Sequence, residues 1–401
     1  MKRTAIIIVL STLSLSAATA EDSVKPWHES RHVTGELLGI RPASEIAGIS
    51  PFASFATMYA ANVSGGIRHE DEFAANMNFG LKFDLGKMSD IPDVIIRISG
   101  VDRHGHSIAP AVGSEFDPMQ VHGKRAIFLY ELNMEKFFEN GLAIKLGRLG
   151  AADDFIRSPL LTYASNNATA GIRAAMMDGV ITSSPNATWG GRIKYQPSGQ
   201  HTFQLGVYQL FDGMMDPGDH GANMRISRHD GVSCMMQYDL RTELDGRRAH
   251  VFAGMNNVHF SMREFGTDHV TKYLLRLYAH GEVELKNGLA LFTSLAYSPH
   301  SRLARMQSQV NLGANWRGLI PARPADRTFL HVAYGALSNK LPRVPGGGKP
   351  DHEIVFEAGH RIQITPAINV QPVMQYIRRP GGSKCIDDAF VLGVQAGVSI
   401  F

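Results

Sequence analysis

The residues of this chain best suited to chemistry are charged groups set among alternating apolar positions. Arg97, Glu131 and Arg192 each fall in a run where every second residue is apolar, so a strand would turn their side chains to the polar face. Arg148 stands just before the long connection 151–187, which carries Asp153, Asp154, Arg157, Arg173 and Asp178. Facing guanidinium and carboxylate groups offer both donors and acceptors, which suits a solute rich in hydroxyls, and they set a transverse field across a watery passage. The plainer reading is that such charges only line a wide aqueous space or decorate a solvated loop. Covalent chemistry has less support. Gly-x-Ser-x-Gly, His-Glu-x-x-His and Cys-x-x-Cys are all missing. His104-Gly105-His106 supplies only two metal-capable side chains, and Gly346-Gly347-Gly348-Lys349 lacks the spacing of a phosphate loop. No cofactor and no metal are expected, and no enzyme.

The elements that must position these charges are strands. From Lys272 to Leu285 the odd positions read Tyr, Leu, Leu, Ala, Gly, Val, Leu, while the even ones include Lys272, Arg276, His280, Glu282 and Glu284. That period of two gives one apolar and one polar face. Phe128, Tyr130, Leu132 and Met134 alternate with Leu129, Glu131, Asn133 and Glu135 in the same way, and Val310, Leu312, Ala314 and Trp316 with Gln309, Asn311 and Asn315. Sixteen such runs begin near residues 52, 73, 93, 125, 142, 188, 202, 231, 249, 271, 289, 306, 328, 353, 368 and 389.

Every second connection is tight, as at Glu139-Asn140-Gly141, Pro197-Ser198-Gly199, Asp245-Gly246 and Asn287-Gly288. Asn-Gly and Asp-Gly favour the positive φ of hairpin turns between antiparallel strands. The intervening connections, 103–123, 151–187, 212–230 and 338–351, are long and polar. The expected fold is therefore all-β: a sixteen-stranded antiparallel transmembrane β-barrel with short periplasmic turns and long extracellular loops. A sheet in lipid must close on itself, and sixteen strands leave a water-filled lumen. Parity turns Asn76, Asn78, Lys82, Lys145, Lys194, Arg276, Glu357, Arg361, Gln371 and Gln375 inward beside Arg97, Glu131 and Arg192. Phe83, Phe137, Phe138, Tyr195, Phe203, Trp316 and Phe329 lie near the tight turns and are expected to form an interfacial girdle.

Lys2 and Arg3, the apolar start Ala5 to Leu10, and Ala18-Thr19-Ala20 read as a signal peptide over 1–20. Residues 21–50 would form a periplasmic N-terminal segment, and 51–401 the barrel. With Lys2 and Arg3 in the leader, the chain of 40 Lys and Arg against 37 Asp and Glu comes close to neutral, which gives no reason to expect nucleic acid. Two cysteines, Cys234 and Cys385, are half a barrel apart and are expected as free thiols.

Three stretches resemble the carbohydrate-selective porin (OprB) family. Near the start stand Leu37-Leu38-Gly39, Arg41, Ala47-Gly48-Ile49 and Asn62-Val63-Ser64-Gly65-Gly66. In the middle come Leu129-Tyr130-Glu131-Leu132, Gly147-Arg148, Asp153-Asp154-Phe155 and Asn166-Asn167. Near the end are Ile364-Thr365-Pro366, Gln371-Pro372, Gln375-Tyr376-Ile377, Pro380-Gly381-Gly382 and Val391-Leu392-Gly393. The resemblance implies a Gram-negative outer-membrane barrel, in contact with lipid, through which small carbohydrates pass down their gradient. A general or ion-selective porin is the first alternative, a barrel enzyme the second, and a closed structural barrel the third. A homo-oligomer stays open. Phe401 stands one step out of phase with Phe390, Leu392, Val394, Val398 and Ile400, so a bulge or frayed end is expected there.

Overall fold

The computed structural model describes residues 28–123, 126–343 and 347–401. The expected signal peptide lies outside them. Sixteen antiparallel strands form a closed barrel in which each pairs with its sequence neighbours and β1 pairs with β16. The first eight are β1 (Ile49–Gly66), β2 (Glu70–Asp84), β3 (Val94–Gly105), β4 (Ala126–Phe137), β5 (Leu142–Leu149), β6 (Thr188–Tyr195), β7 (His201–Leu210) and β8 (Gly231–Leu244). The rest are β9 (Arg247–Arg263), β10 (Val270–Glu284), β11 (Leu289–Tyr297), β12 (Met306–Arg317), β13 (Arg327–Leu337), β14 (His352–Thr365), β15 (Ile368–Arg378) and β16 (Asp387–Ser399). Each strand starts within three residues of its expected position.

The tight connections 138–141, 196–200, 245–246, 285–288 and 366–367 gather at one end of the barrel, the turn end. Asp245 and Gly246 have φ of 51° and 71°, and Asn287 and Gly288 59° and 73°, as the hairpin reading requires. Residues 106–123, 150–187, 211–230, 338–343 and 347–351 lie at the opposite, loop end. At the turn end the segment before β1 docks on the last strand, with Val33 N–H donating to Ser399 O at 3.0 Å. β16 stops at Ser399, and the N–H groups of both Ile400 and Phe401 converge on Ala53 O. The expected irregular end is there.

The outward face is apolar: Leu277, Leu295, Leu312, Leu330 and Met374 are all exposed. Water would penalise this band and hydrocarbon would not. Leu277→Arg is accordingly expected to cost about 2–4 kcal/mol if that position sits near the bilayer midplane. The check is the temperature at which the folded barrel loses its fast gel mobility, and an unchanged temperature rejects the outward assignment.

Two parts of the face assignment are corrected. Phe329 does not join a girdle, because it points into the lumen, 1% exposed, with its ring centroid 5.0 Å from that of His331. Phe128 and Tyr130 also point inward. The pairing of β3 with β4 runs Ser99↔Glu131 and then Gly100↔Leu129, leaving Tyr130 as an extra residue. This bulge flips the parity, so Phe128, Tyr130, Glu131 and Asn133 all face the lumen.

The core lies inside the barrel rather than between layers. Connections 106–123 and 150–187 fold into the lumen, where Ile108, Phe116, Met119, Ile172 and Val180 pack against Phe329, Val355 and Val373 of the wall.

Candidate functional site

The 150–187 loop departs from β5 through Gly150, where a Cβ would stand 2.0 Å from the Tyr130 hydroxyl oxygen. That hydroxyl donates to Asp153 Oδ2 at 2.5 Å, so the bulged Tyr130 fixes the first turn of the loop. The loop then runs along the inner wall on the β7–β15 side. Ile156 N–H donates to Gln237 Oε1, Ser158 Oγ to Glu282, Gln371 Nε2 to Tyr163 O, and Asn311 Nδ2 to Ala168 O. The loop between β3 and β4 is zipped to it, with Gln120 N–H donating to Ser165 O and Asn167 N–H to Asp117 O.

Two buried carboxylates of β14 anchor this pair of loops. Glu353 accepts from the N–H groups of Glu115, Phe116 and Gly381. Glu357 accepts from Ser165 N–H at 2.7 Å, Ser165 Oγ at 2.6 Å, Asn166 N–H at 3.2 Å and the Thr169 hydroxyl. Gln375 donates to Pro118 O and to Ser165 Oγ, both at 3.0 Å. The expectation that Glu357, Gln371, Gln375 and Arg276 line open water is therefore corrected: they face the lumen but lie fully covered by the loops.

Arg97, Glu131, Asp153, Asp154 and Arg192 come together on β3–β6 and the start of the loop. Arg97 Nε lies 2.7 Å from Glu131 Oε2, and its guanidinium carbon sits 4.5 Å from the centre of the Phe52 ring. Arg192 Nη2 is 2.6 Å from Glu135 Oε1 and 3.2 Å from Asp154 Oδ1, which also takes Lys145 Nζ at 2.7 Å. Asp153 Oδ1 is 3.4 Å from Arg157 Nη1. Such pairs fix the guanidinium planes without spending every N–H.

Arg173 belongs elsewhere. It starts a short helical turn, Arg173–Met176, nearer the loop end, where its Nε is buried without a hydrogen-bond partner. Burial holds its basicity below that of a free arginine, against the opposing pull of Asp178, Glu115 and Asp117. In the same loop system burial raises the pKa of Asp117, and His122, 3.1 Å away, pulls it back down.

Arg148 is a correction. It pairs across the sheet with Leu132 and Trp189, both on the outward face, and is 2% exposed. Its guanidinium donates to Asn223 O at 2.7 Å and to Ala187 O at 2.6 Å. β5 ends so early that β4 from Ala126 to Glu131 has no partner on that edge. The 211–230 connection straps the opening from outside, with Leu129 N–H donating to His220 O and Trp189 Nε1 to Met224 O. Arg148 holds the strap and does not line the pore.

Phe52, Glu135, Tyr163 and Arg327 were not singled out from the sequence. Phe52 and Glu135 carried a signal, since each shares the parity of inward neighbours. Tyr163 carried none: its ring lies under Arg361 at 4.6 Å and Arg327 at 5.1 Å only because the loop crosses the lumen. Cys234 and Cys385 are both free.

A closed sixteen-stranded barrel, apolar outside and narrowed inside by folded-in loops, defines a diffusion porin. This chain belongs to the carbohydrate-selective porin, OprB family, whose model matches residues 68–262 and 276–400. Porin QuiX of Acinetobacter baylyi is 23% identical over 92% of this chain and 93% of its own length. Porin B of Pseudomonas aeruginosa is 23% identical over 97% of this chain and 95% of its own. The high-pH structure of Pseudomonas putida OprB superposes with a TM-score of 0.88 at 18% identity, covering 94% of this chain and 100% of that one. The protein is thus a Gram-negative outer-membrane channel for sugars and not an enzyme.

Proposed function

We propose that small carbohydrates diffuse through the space between the 150–187 loop and the wall formed by β16 and β1–β4, past a constriction set by Arg97, Glu131, Asp153 and Arg157. The supporting observation is the course of the loop, which covers the lumen face of β7–β15 and leaves this stretch of wall bare. Arg97 is 33% exposed at its side chain while Glu131 is 4% exposed, so the guanidinium is the group presented to solute. A guanidinium donates to ring hydroxyls as a fork, and the Phe52 ring behind it offers an apolar face to sugar C–H groups. Asp154 and Arg192 support this arrangement from below. The loop end would face the exterior and the turn end the periplasm, where residues 28–48 dock, while the outward apolar band contacts lipid.

Swelling of liposomes containing the purified chain tests the reading. Glucose is expected to enter readily and oligosaccharides progressively more slowly, with glucose ahead of amino acids of similar size. Equal rates for size-matched solutes would reduce the protein to a general porin, and no swelling at all would mean a closed lumen.

A further inference from the structure

Charge in the bare stretch of lumen is distributed unevenly. The inward faces of β1 from Phe52 to Asn62 and β16 from Val391 to Ser399, with Asn369 at the start of β15, carry no ionisable side chain. This neutral floor is flanked on both sides by cations set against aromatic rings. On one flank Lys82 and Arg97 lie over Phe52, at 5.8 Å and 4.5 Å from the ring centre. On the other, Arg327 and Arg361 lie over Tyr163. Among the described residues Lys82, Arg327 and Arg361 pair with no carboxylate: Arg361 is held by Gln371 Oε1 and Thr162 O, and Arg327 by the ring alone. Arg97 meets Glu131 through Nε, and its two terminal nitrogens have no acceptor among the described residues.

The carboxylates of β4 and the loop near Arg97 are each paired with a cation: Glu135 with Arg192, and Asp153, 32% exposed, with the more exposed Arg157. Glu131 and Asp154 are 4% and 8% exposed and are held by Arg97, Lys145 and Arg192. Asp84 at the end of β2 is taken up by the N–H groups of Gly86 and Lys87, and the acids Glu243, Glu282 and Glu284 lie across the barrel on β8 and β10. They line a separate cavity of about 590 Å³ whose wall includes Pro159 and Leu160 of the loop. Solute on the bare side therefore meets the exposed Lys82, the half-buried guanidinium groups of Arg97, Arg327 and Arg361 and aromatic faces, with Asp153 offset by Arg157 and the solute's hydroxyls served by Ser54, Asn369 and Gln395.

Resting on the carbohydrate-porin reading, we propose that the preferred solutes are sugar acids, six-carbon polyhydroxylated monocarboxylates, and that the channel selects anions over cations. A carboxylate fits the paired terminal N–H groups of Arg97 in bidentate fashion, while the polyhydroxylated remainder spans the neutral floor. Single-sign charge in a narrow, low-dielectric passage concentrates counter-ions by about tenfold or more, and screening weakens this as salt rises.

The test uses the full mature chain in planar bilayers. Zero-current potentials are measured in a KCl gradient, and again with chloride replaced by glucuronate, beside liposome swelling in glucose. Expected are an anion preference of about tenfold near 0.1 M salt that shrinks at higher salt, and a glucuronate current. Arg97→Gln combined with Arg361→Gln is expected to remove most of that preference. Cation preference, or glucose entry without glucuronate current, overturns the sugar-acid assignment and leaves a porin for neutral sugars. Failure of glucose to enter as well removes the porin reading on which the proposal rests.

Discussion

Glu357→Ala is expected to widen the channel, so that oligosaccharides excluded by the native protein enter liposomes and single-channel conductance rises severalfold. The carboxylate is 0% exposed and satisfies two backbone N–H groups and two hydroxyls of the 165–169 segment at once. Each such hydrogen bond contributes roughly 0.5–1.5 kcal/mol, and each donor left buried without an acceptor costs about 1–3 kcal/mol in its own right. The sum is not additive, but on the order of 3–5 kcal/mol falls on one short stretch of loop. The barrel itself has no such dependence. β14 stays paired with β13 and β15 through its backbone, so the barrel persists while the loop lets go. Glu357→Gln, which keeps one acceptor oxygen, is expected to fall between. An unchanged size limit in the alanine variant would mean that Gln309, Asn311 and Gln375 suffice to hold the loop, and the anchoring role of Glu357 would be withdrawn.

The covered state of Glu357 also marks how far the sequence could be read. A period of two is a local property, and it places Glu357, Gln371, Arg97 and Arg361 on the lumen face from a few neighbouring residues. Whether a lumen-facing group meets water or a loop depends on where residues far along the chain come to rest. Glu357 and Ser165 meet across 192 positions, and Gln371 and the Tyr163 carbonyl across 208. No local pattern encodes those meetings. Gln371, Gln375, Asn166 and Asn167, which carry the family resemblance, serve as joints between loop and wall. The resemblance is thus in large part that of a common way of narrowing the barrel. Parity failed where the backbone gained a residue. Phe-Leu-Tyr-Glu-Leu-Asn-Met-Glu over 128–135 keeps a regular alternation across the bulge, so the pattern hides the point at which Tyr130 turns inward.

Arg148 separates the two kinds of arginine in this chain. The sequence grouped it with Arg97 because it precedes the constriction loop, yet β3 turns Arg97 into the lumen and β5 turns Arg148 outward. Arg148→Ala removes both carbonyl contacts of a fully buried guanidinium and frees the strap from the uncovered edge of β4. An exposed edge in an apolar surround leaves N–H and C=O groups unsatisfied. The expected loss is on the order of 3 kcal/mol, read as a lower temperature for loss of the folded gel form and as new protease cleavage within 211–230. Ion selectivity should remain as in the parent, because no group facing the lumen has changed. Arg97→Ala is expected to do the reverse, altering selectivity and glucose entry while barely moving the unfolding temperature, since its guanidinium is partly exposed and Glu131 keeps Asn133 as a donor. A shift of selectivity in Arg148→Ala with stability intact would return that residue to the pore and reverse the assignment of its face.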